Sequence, residues 1–175
     1  MIGDNDVAVL LGFLASAIGL AGFAGIVTSI DRRTVGATPE VITFRLNVLT
    51  LTALLSILLA LLPIVVEALA LAPTTLWPFV CMFNASVIAS ILIVVAIARR
   101  RMAGTDQGFS QTVFVSSVAL GVAAVVAGLL GAGNFIPARG AYYLGQLFLL
   151  YQVFMLFYRM LLMADEASRV AQRGG

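Results

Sequence analysis

The chain contains no lysine and no histidine, and only one cysteine, Cys81, among its 175 residues. Without histidine, the usual His-based acid–base pairs, serine triads and haem axial ligation are excluded. One cysteine forms neither an internal disulfide nor a thiolate metal cluster. No Walker, dinucleotide-binding or HExxH pattern is present. We therefore expect no enzymatic activity, no cofactor and no bound metal.

Charge of either sign is also scarce, since only 10% of the residues are charged and 62% are hydrophobic. The mean hydropathy is +1.10. Charge is absent from five long stretches, namely 7–30, 46–66, 68–98, 107–138 and 140–158. A transmembrane helix needs roughly 20 consecutive apolar residues, whereas a helix on the surface of a soluble protein carries a polar stripe. The composition thus predicts an integral membrane protein.

These stretches predict an all-α protein with a bundle of five transmembrane helices, at about 7–30, 46–71, 79–98, 112–133 and 140–163. Helices are favoured over a barrel because the apolar runs are long and lack the alternation of barrel strands. The connections are too short for a soluble domain. Residues 1–175 are therefore expected to form a single transmembrane helical domain.

The basic residues, all of them arginine, predict the orientation of the chain. In a five-span protein one side carries nine of them: Arg32, Arg33, Arg45, Arg99, Arg100, Arg101, Arg159, Arg169 and Arg173. The positive-inside rule makes this side cytoplasmic, so the C-terminus is predicted inside and the N-terminus outside. Arginine without lysine, in a chain rich in alanine and glycine, is typical of a GC-rich bacterial genome. We therefore predict the bacterial inner membrane.

The run Arg99–Arg101 is explained as a topology signal, and binding of anionic lipids by Arg99, Arg100 and Arg101 is the alternative. Nucleic-acid binding is not expected from so few charges at a membrane face. Trp77, Tyr142 and Tyr143 lie at predicted span edges. Aromatic rings of this kind prefer the headgroup level, so we expect them to be interface anchors.

Two predicted helices carry faces of small residues that allow close backbone approach in lipid. The fourth span groups Ser117, Gly121, Ala124, Gly128 and Gly131, and the first groups Gly12, Ala15, Ser16, Gly19 and Gly22. These faces are candidates for packing within one chain or for an interface between copies of it. The sequence leaves both alternatives open.

Glu67 is the one carboxylate inside a predicted span, the second. It shares a stripe with Thr52, Ser56, Ala60 and Pro63. An acid in a membrane helix is a candidate ion or proton site. The alternative is that Glu67 lies at the outer interface and meets water there, because roughly 20 residues from Leu46 reach Val66.

The fifth span carries a second polar stripe with Gln152 near its middle, Arg159 near its inner end and Gln146 at its edge. Interhelical hydrogen bonding and lipid anchoring explain these residues. A water-filled or substrate-lining face is the alternative. Asn84, in the third span, is a candidate partner for Gln152 or Glu67.

The sequence favours a structural or interaction protein, either a homo-oligomer or an accessory subunit of a membrane complex. The alternative is a small ion channel or secondary transporter lined by the stripes of the second and fifth spans. Its partners are expected to be the lipid bilayer, further copies of itself or other membrane subunits.

Overall fold

The computed structural model describes residues 2–31, 39–69, 72–101 and 111–173. These ranges hold five α-helices, namely α1 (Asp4–Asp31), α2 (Pro39–Ala68), α3 (Pro73–Arg101), α4 (Gln111–Ala132) and α5 (Ala138–Arg173). All five are long and apolar enough to cross a membrane, over Asp4–Phe23, Asn47–Ala68, Thr74–Ile97, Phe114–Ala132 and Ala138–Tyr158. The prediction of an all-α protein with five candidate membrane spans is confirmed.

Several helices are longer than the spans predicted from hydropathy. Helix α2 begins at Pro39 instead of 46, α3 begins at Pro73 instead of 79, and α5 continues to Arg173 instead of 163. Proline suits the first position of a helix because the amide it lacks would have no partner there. Apolar composition marks the part of a helix that can lie in lipid, and the backbone hydrogen bonds continue beyond it.

The chain divides into two compact units. The first unit contains Met1–Val7 and Leu61–Phe148, and the second contains Ala8–Ala60 and Leu149–Gly175. The division falls inside α1, α2 and α5. The single-domain organisation stays a prediction.

In the first unit, α3 and α4 pack against each other through small residues. A Cβ atom on Gly128 would lie 2.9 Å from the Cβ of Ala85, and one on Gly121 would lie 2.7 Å from a methyl carbon of Leu92. At Gly128 the neighbouring atom is itself a Cβ and cannot turn away, so glycine is needed there for the two backbones to approach this closely, whereas at Gly121 the Leu92 side chain would have to shift. Dispersion contacts of this kind replace the hydrophobic effect as the source of helix association in lipid.

The turn from α4 into α5 is a Schellman motif, which places the start of α5. The Asn134 amide donates to the carbonyl of Gly131, and the Phe135 amide donates to the carbonyl of Leu130. Asn134 has a φ of 57°, the left-handed conformation that ends a helix in this way. Ala138 then begins α5.

The second unit has its own buried apolar side chains, among them Leu10, Ala17, Leu49, Ala53, Leu59, Val153 and Phe157. The rings of Phe23 in α1 and Phe157 in α5 meet edge to face, with centroids 5.2 Å apart. Aromatic pairs prefer this arrangement because the positive edge of one ring meets the negative face of the other. The contact makes α1 and α5 neighbours at this level.

The close approach at Gly128 predicts a compensating pair of substitutions. We expect Gly128→Ala to lower the free energy of unfolding by about 1–3 kcal/mol, because the new methyl group overlaps Ala85. In Gly128→Ala/Ala85→Gly that overlap is absent, so the double variant should be more stable than the sum of the two single effects. Denaturant unfolding in mild detergent measures all four proteins. Simple additivity would contradict the contact.

Candidate functional site

Asp6, in the first turn of α1, is the centre of a polar cluster in the first unit. Its side chain is only 7% exposed. One carboxylate oxygen accepts a 2.7 Å hydrogen bond from the Tyr143 hydroxyl. The other accepts a 3.0 Å bond from the Gly3 amide and lies 3.2 Å from a guanidinium nitrogen of Arg139. Each oxygen therefore has a donor, which allows a carboxylate to be buried.

Arg139 connects this carboxylate to an aromatic group. Its guanidinium carbon lies 5.3 Å from the centre of the Trp77 ring, within the range of a cation–π interaction. The Trp77 ring packs edge to face on Tyr142 and on Tyr143, with centroids 6.0 Å apart in both pairs. The Arg139 side chain remains 51% exposed.

The prediction that these aromatic rings are interface anchors is wrong for Trp77 and Tyr142. Trp77 is 8% exposed and Tyr142 is fully buried. Both rings pack inside the first unit, against each other and against Tyr143. Hydropathy indicates that an aromatic residue lies near a span edge, but it does not indicate which face of the helix carries the ring.

Glu67 lies near the end of α2, and one of its carboxylate oxygens accepts a 2.8 Å hydrogen bond from the Ile2 amide. The carboxylate thus satisfies a backbone donor just before α1 begins. This placement favours the interface alternative over the ion site, because a helix start leaves amides that need acceptors. Its role as an ion or proton site stays a prediction.

Asn84 does not pair with Gln152 or Glu67, the partners expected for it. Its amide nitrogen donates to the carbonyl oxygen of Tyr142, 3.3 Å away. Its side chain also lies directly against Gly145, where a Cβ atom would overlap the amide nitrogen. A polar residue in a membrane helix can pair with a backbone carbonyl of a neighbouring helix, and here that carbonyl belongs to α5.

Gln146 is fully buried, and its amide nitrogen donates to the Tyr142 hydroxyl at 3.2 Å. Three buried side-chain oxygens have no hydrogen-bond partner within the described part of the chain, namely Ser56 Oγ, Asn84 Oδ1 and Gln146 Oε1. Buried oxygens of this kind need a donor from water or from a ligand.

The remaining members of the two predicted polar stripes are placed as follows. Thr52, Ser56 and Pro63 are buried, and the Thr52 hydroxyl donates to the Val48 carbonyl. Gln152 is half-buried in α5. Arg159 belongs to the same helix, but its side chain lies outside the described part of the structure, as do those of Arg99 and Arg101. Arg100 is exposed near the end of α3, and its binding to anionic lipids stays a prediction.

The two small-residue faces differ in their surroundings. On α4, Gly121 and Gly128 are buried and Ser117 is half-buried. On α1, Gly12, Ser16 and Gly19 are all exposed, and a Cβ atom on either glycine would meet nothing within 4 Å. The Ser16 hydroxyl donates to the carbonyl of Gly12 and is satisfied within its own helix.

The cluster around Asp6 is the part that the sequence prediction missed. Asp6 and Tyr143 are 137 positions apart, and no local pattern connects them. A carboxylate at the very start of an apolar run was the available signal. The cluster holds α1, α3 and α5 together, because Asp6 bonds to Tyr143 and Arg139 and the Arg139 guanidinium lies over the Trp77 ring. The carboxylate oxygens of Asp6 are already occupied by these donors. Within the described residues, no group of three or more potential metal-binding side chains is found.

The energy that couples Asp6 to Tyr143 should be larger than the energy that couples Asp6 to Arg139. We expect Asp6→Ala and Tyr143→Phe to be coupled by about 1.5–3 kcal/mol, because their bond is short, charged and partly buried. The coupling of Asp6→Ala with Arg139→Ala should be below about 1 kcal/mol, because the guanidinium is half exposed.

Double-mutant cycles based on unfolding in mild detergent measure both coupling energies. Tyr158→Phe is the matched control, since Tyr158 is an exposed tyrosine on the same helix. A stronger coupling to Arg139 than to Tyr143 would contradict the assignment.

Comparisons of the chain with protein-family models, with curated proteins and with solved structures find no match.

Proposed function

We propose that this protein is a non-enzymatic structural or interaction component of a membrane, which associates through the small-residue face of α1. The observation that carries the proposal is the contrast between α1 and α4. The glycines of α4 are in contact with α3 and α5, whereas Gly12, Gly19 and Gly22 of α1 have open space around them. A second copy of the chain, or another membrane subunit, would supply the missing contacts.

The burial of α1 supports this assignment. Only 17% of the first candidate span is buried, compared with 44% of the fifth. Leu10 and Ala17 are buried, and they lie roughly opposite the small-residue face on the helix. The exposed side of α1 therefore presents small side chains and a stretch of backbone that no other described helix contacts. Close helix association in lipid requires a surface of this kind.

Transport is the alternative function, and the geometry favours it less. On α2 the stripe is buried at Thr52 and Ser56. Glu67, the ion or proton site of that alternative, already accepts the Ile2 amide. A carboxylate that caps a helix start has a sufficient structural role.

The association proposal predicts a change in native mass. In mild detergent the wild-type protein should be an oligomer or should retain a partner subunit. Gly12→Leu/Gly19→Leu should shift it to the monomer, because leucine prevents close approach while it favours the helix itself. Gly140→Leu is the matched control, since Gly140 also has open space but lies on α5. Multi-angle light scattering measures the masses.

Two results would overturn the proposal. One is a wild-type protein that is monomeric without any partner, and the other is an α1 double variant with an unchanged mass. Ion flux into liposomes that is lost in Glu67→Gln would instead establish the transport alternative.

The proposed orientation places the N-terminus outside and the C-terminus in the cytoplasm of a bacterial cell, with the protein in the inner membrane. The distribution of arginine supports it through the positive-inside rule. A reporter that is active only in the cytoplasm should therefore be active when fused after Gly175, and a reporter active only in the periplasm should be silent there. The reverse result would overturn the orientation.

A further inference from the structure

Phe135, in the turn between α4 and α5, has an aromatic ring that the protein leaves uncovered. The residue is 81% exposed, more than any other large apolar residue in the described ranges. In a Schellman motif the residue at this position often makes an apolar contact with the residue whose carbonyl accepts its amide, here Leu130. Leu130 is itself 40% exposed, so a contact between the two covers little of the ring. Phe135 thus carries more apolar surface than the turn uses.

The ring lies close to the last turn of α4. The Phe135 amide donates to the Leu130 carbonyl at 2.9 Å, which holds its backbone beside that turn. A Cβ atom on Gly133 would lie 2.7 Å from a ring carbon of Phe135 and 3.6 Å from the carbonyl oxygen of Leu129. Leu129 is 55% exposed and belongs to the candidate span of α4. The uncovered ring is therefore at the end of a membrane span and does not extend far beyond it.

Arg139 indicates the level of this turn in a bilayer. The candidate span of α4 ends at Ala132 and that of α5 begins at Ala138, so the turn lies at one membrane edge. Arg139 pairs with Asp6, and its side chain is still 51% exposed. A charged group is costly among acyl chains, and an arginine near the end of a span reaches the phosphate layer. Phe135 precedes Arg139 by four residues, at the same membrane edge.

We propose that Phe135 anchors the turn between α4 and α5 in the lipid bilayer, with its ring at the boundary between the headgroups and the acyl chains. The partner is the lipid itself, because an uncovered apolar ring at this level gains free energy when it leaves water. The exposed part of the Arg139 guanidinium complements the negatively charged phosphates at the same edge. Phe135 thereby takes the role predicted for Trp77 and Tyr142, whose rings are buried. The anchor does not depend on association through α1.

Fluorescence quenching tests the anchor, because the chain has one tryptophan, Trp77, and that residue is buried. Phe135→Trp keeps an aromatic ring at the turn and adds a second fluorophore. Leu120→Trp is the matched reference, since Leu120 is exposed in the candidate span of α4. The full-length proteins are reconstituted in phosphatidylcholine vesicles with bromine near the headgroup (shallow), with bromine near the chain end (deep) or without bromine. Acrylamide is the quencher in water, and the wild-type protein gives the signal of Trp77 alone.

We expect shallow bromine to quench the added fluorescence of Phe135→Trp at least about twofold more strongly than deep bromine does. The order should be reversed for Leu120→Trp, and acrylamide should have little effect on either variant. Quenching of Phe135→Trp by acrylamide and not by bromine would place the ring in water and overturn the anchor. If neither quencher acted on it, another protein surface would cover the ring, and the proposal would be wrong. Stronger quenching of Phe135→Trp by deep bromine would contradict the level assigned to the ring.

Discussion

Lipid offers no hydrogen-bond partner, and the structure of this chain depends on how its few polar groups are satisfied without one. The simplest solution is local, since Ser16, Ser86 and Ser90 each donate to a carbonyl one turn earlier in their own helix. The second solution is between helices. Asp6 is buried because Tyr143, Gly3 and Arg139 all direct donors at it. That cluster links sequence positions that are far apart and brings the start of α1 to α3 and α5.

Close packing is the other source of stability, and it divides the glycines of the chain into two classes. Gly128 and Gly131 have Cβ or backbone atoms of neighbouring residues where their own Cβ would be, so the fold itself requires glycine there. A Cβ atom on Gly12, Gly19 or Gly22 would meet nothing within 4 Å, so no contact in the described structure requires these residues to be small. The same residue type thus has two roles, and only the neighbours reveal which role applies. This difference is the basis for treating the protein as a component of an assembly.

A few polar groups have only some of their hydrogen bonds, or none, within the described structure. Asn84 and Gln146 each use an amide nitrogen and leave the oxygen without a partner in the described structure, and Ser56 is buried without one. Gln152 is half-buried. A buried polar atom without a hydrogen bond is costly in a low-dielectric interior. We therefore expect water, a solute or another protein to complete the hydrogen bonds of these groups. They lie on α2, α3 and α5, and of these helices α2 and α5 carry the polar stripes.

The sequence by itself determined the class of the protein and the number of its spans, because charge-free stretches of bilayer length are a one-dimensional property. It also identified Glu67, Asn84, Gln146 and Gln152 as unusual, since a polar residue in an apolar run needs no structure to be noticed. Only the tertiary structure decided their partners. Asn84 pairs with the Tyr142 carbonyl, Glu67 with the Ile2 amide, and Asp6 with Tyr143 across 137 positions. Hydropathy records which residues avoid water, whereas partner choice depends on how the helices are rotated and arranged, and no local pattern encodes that.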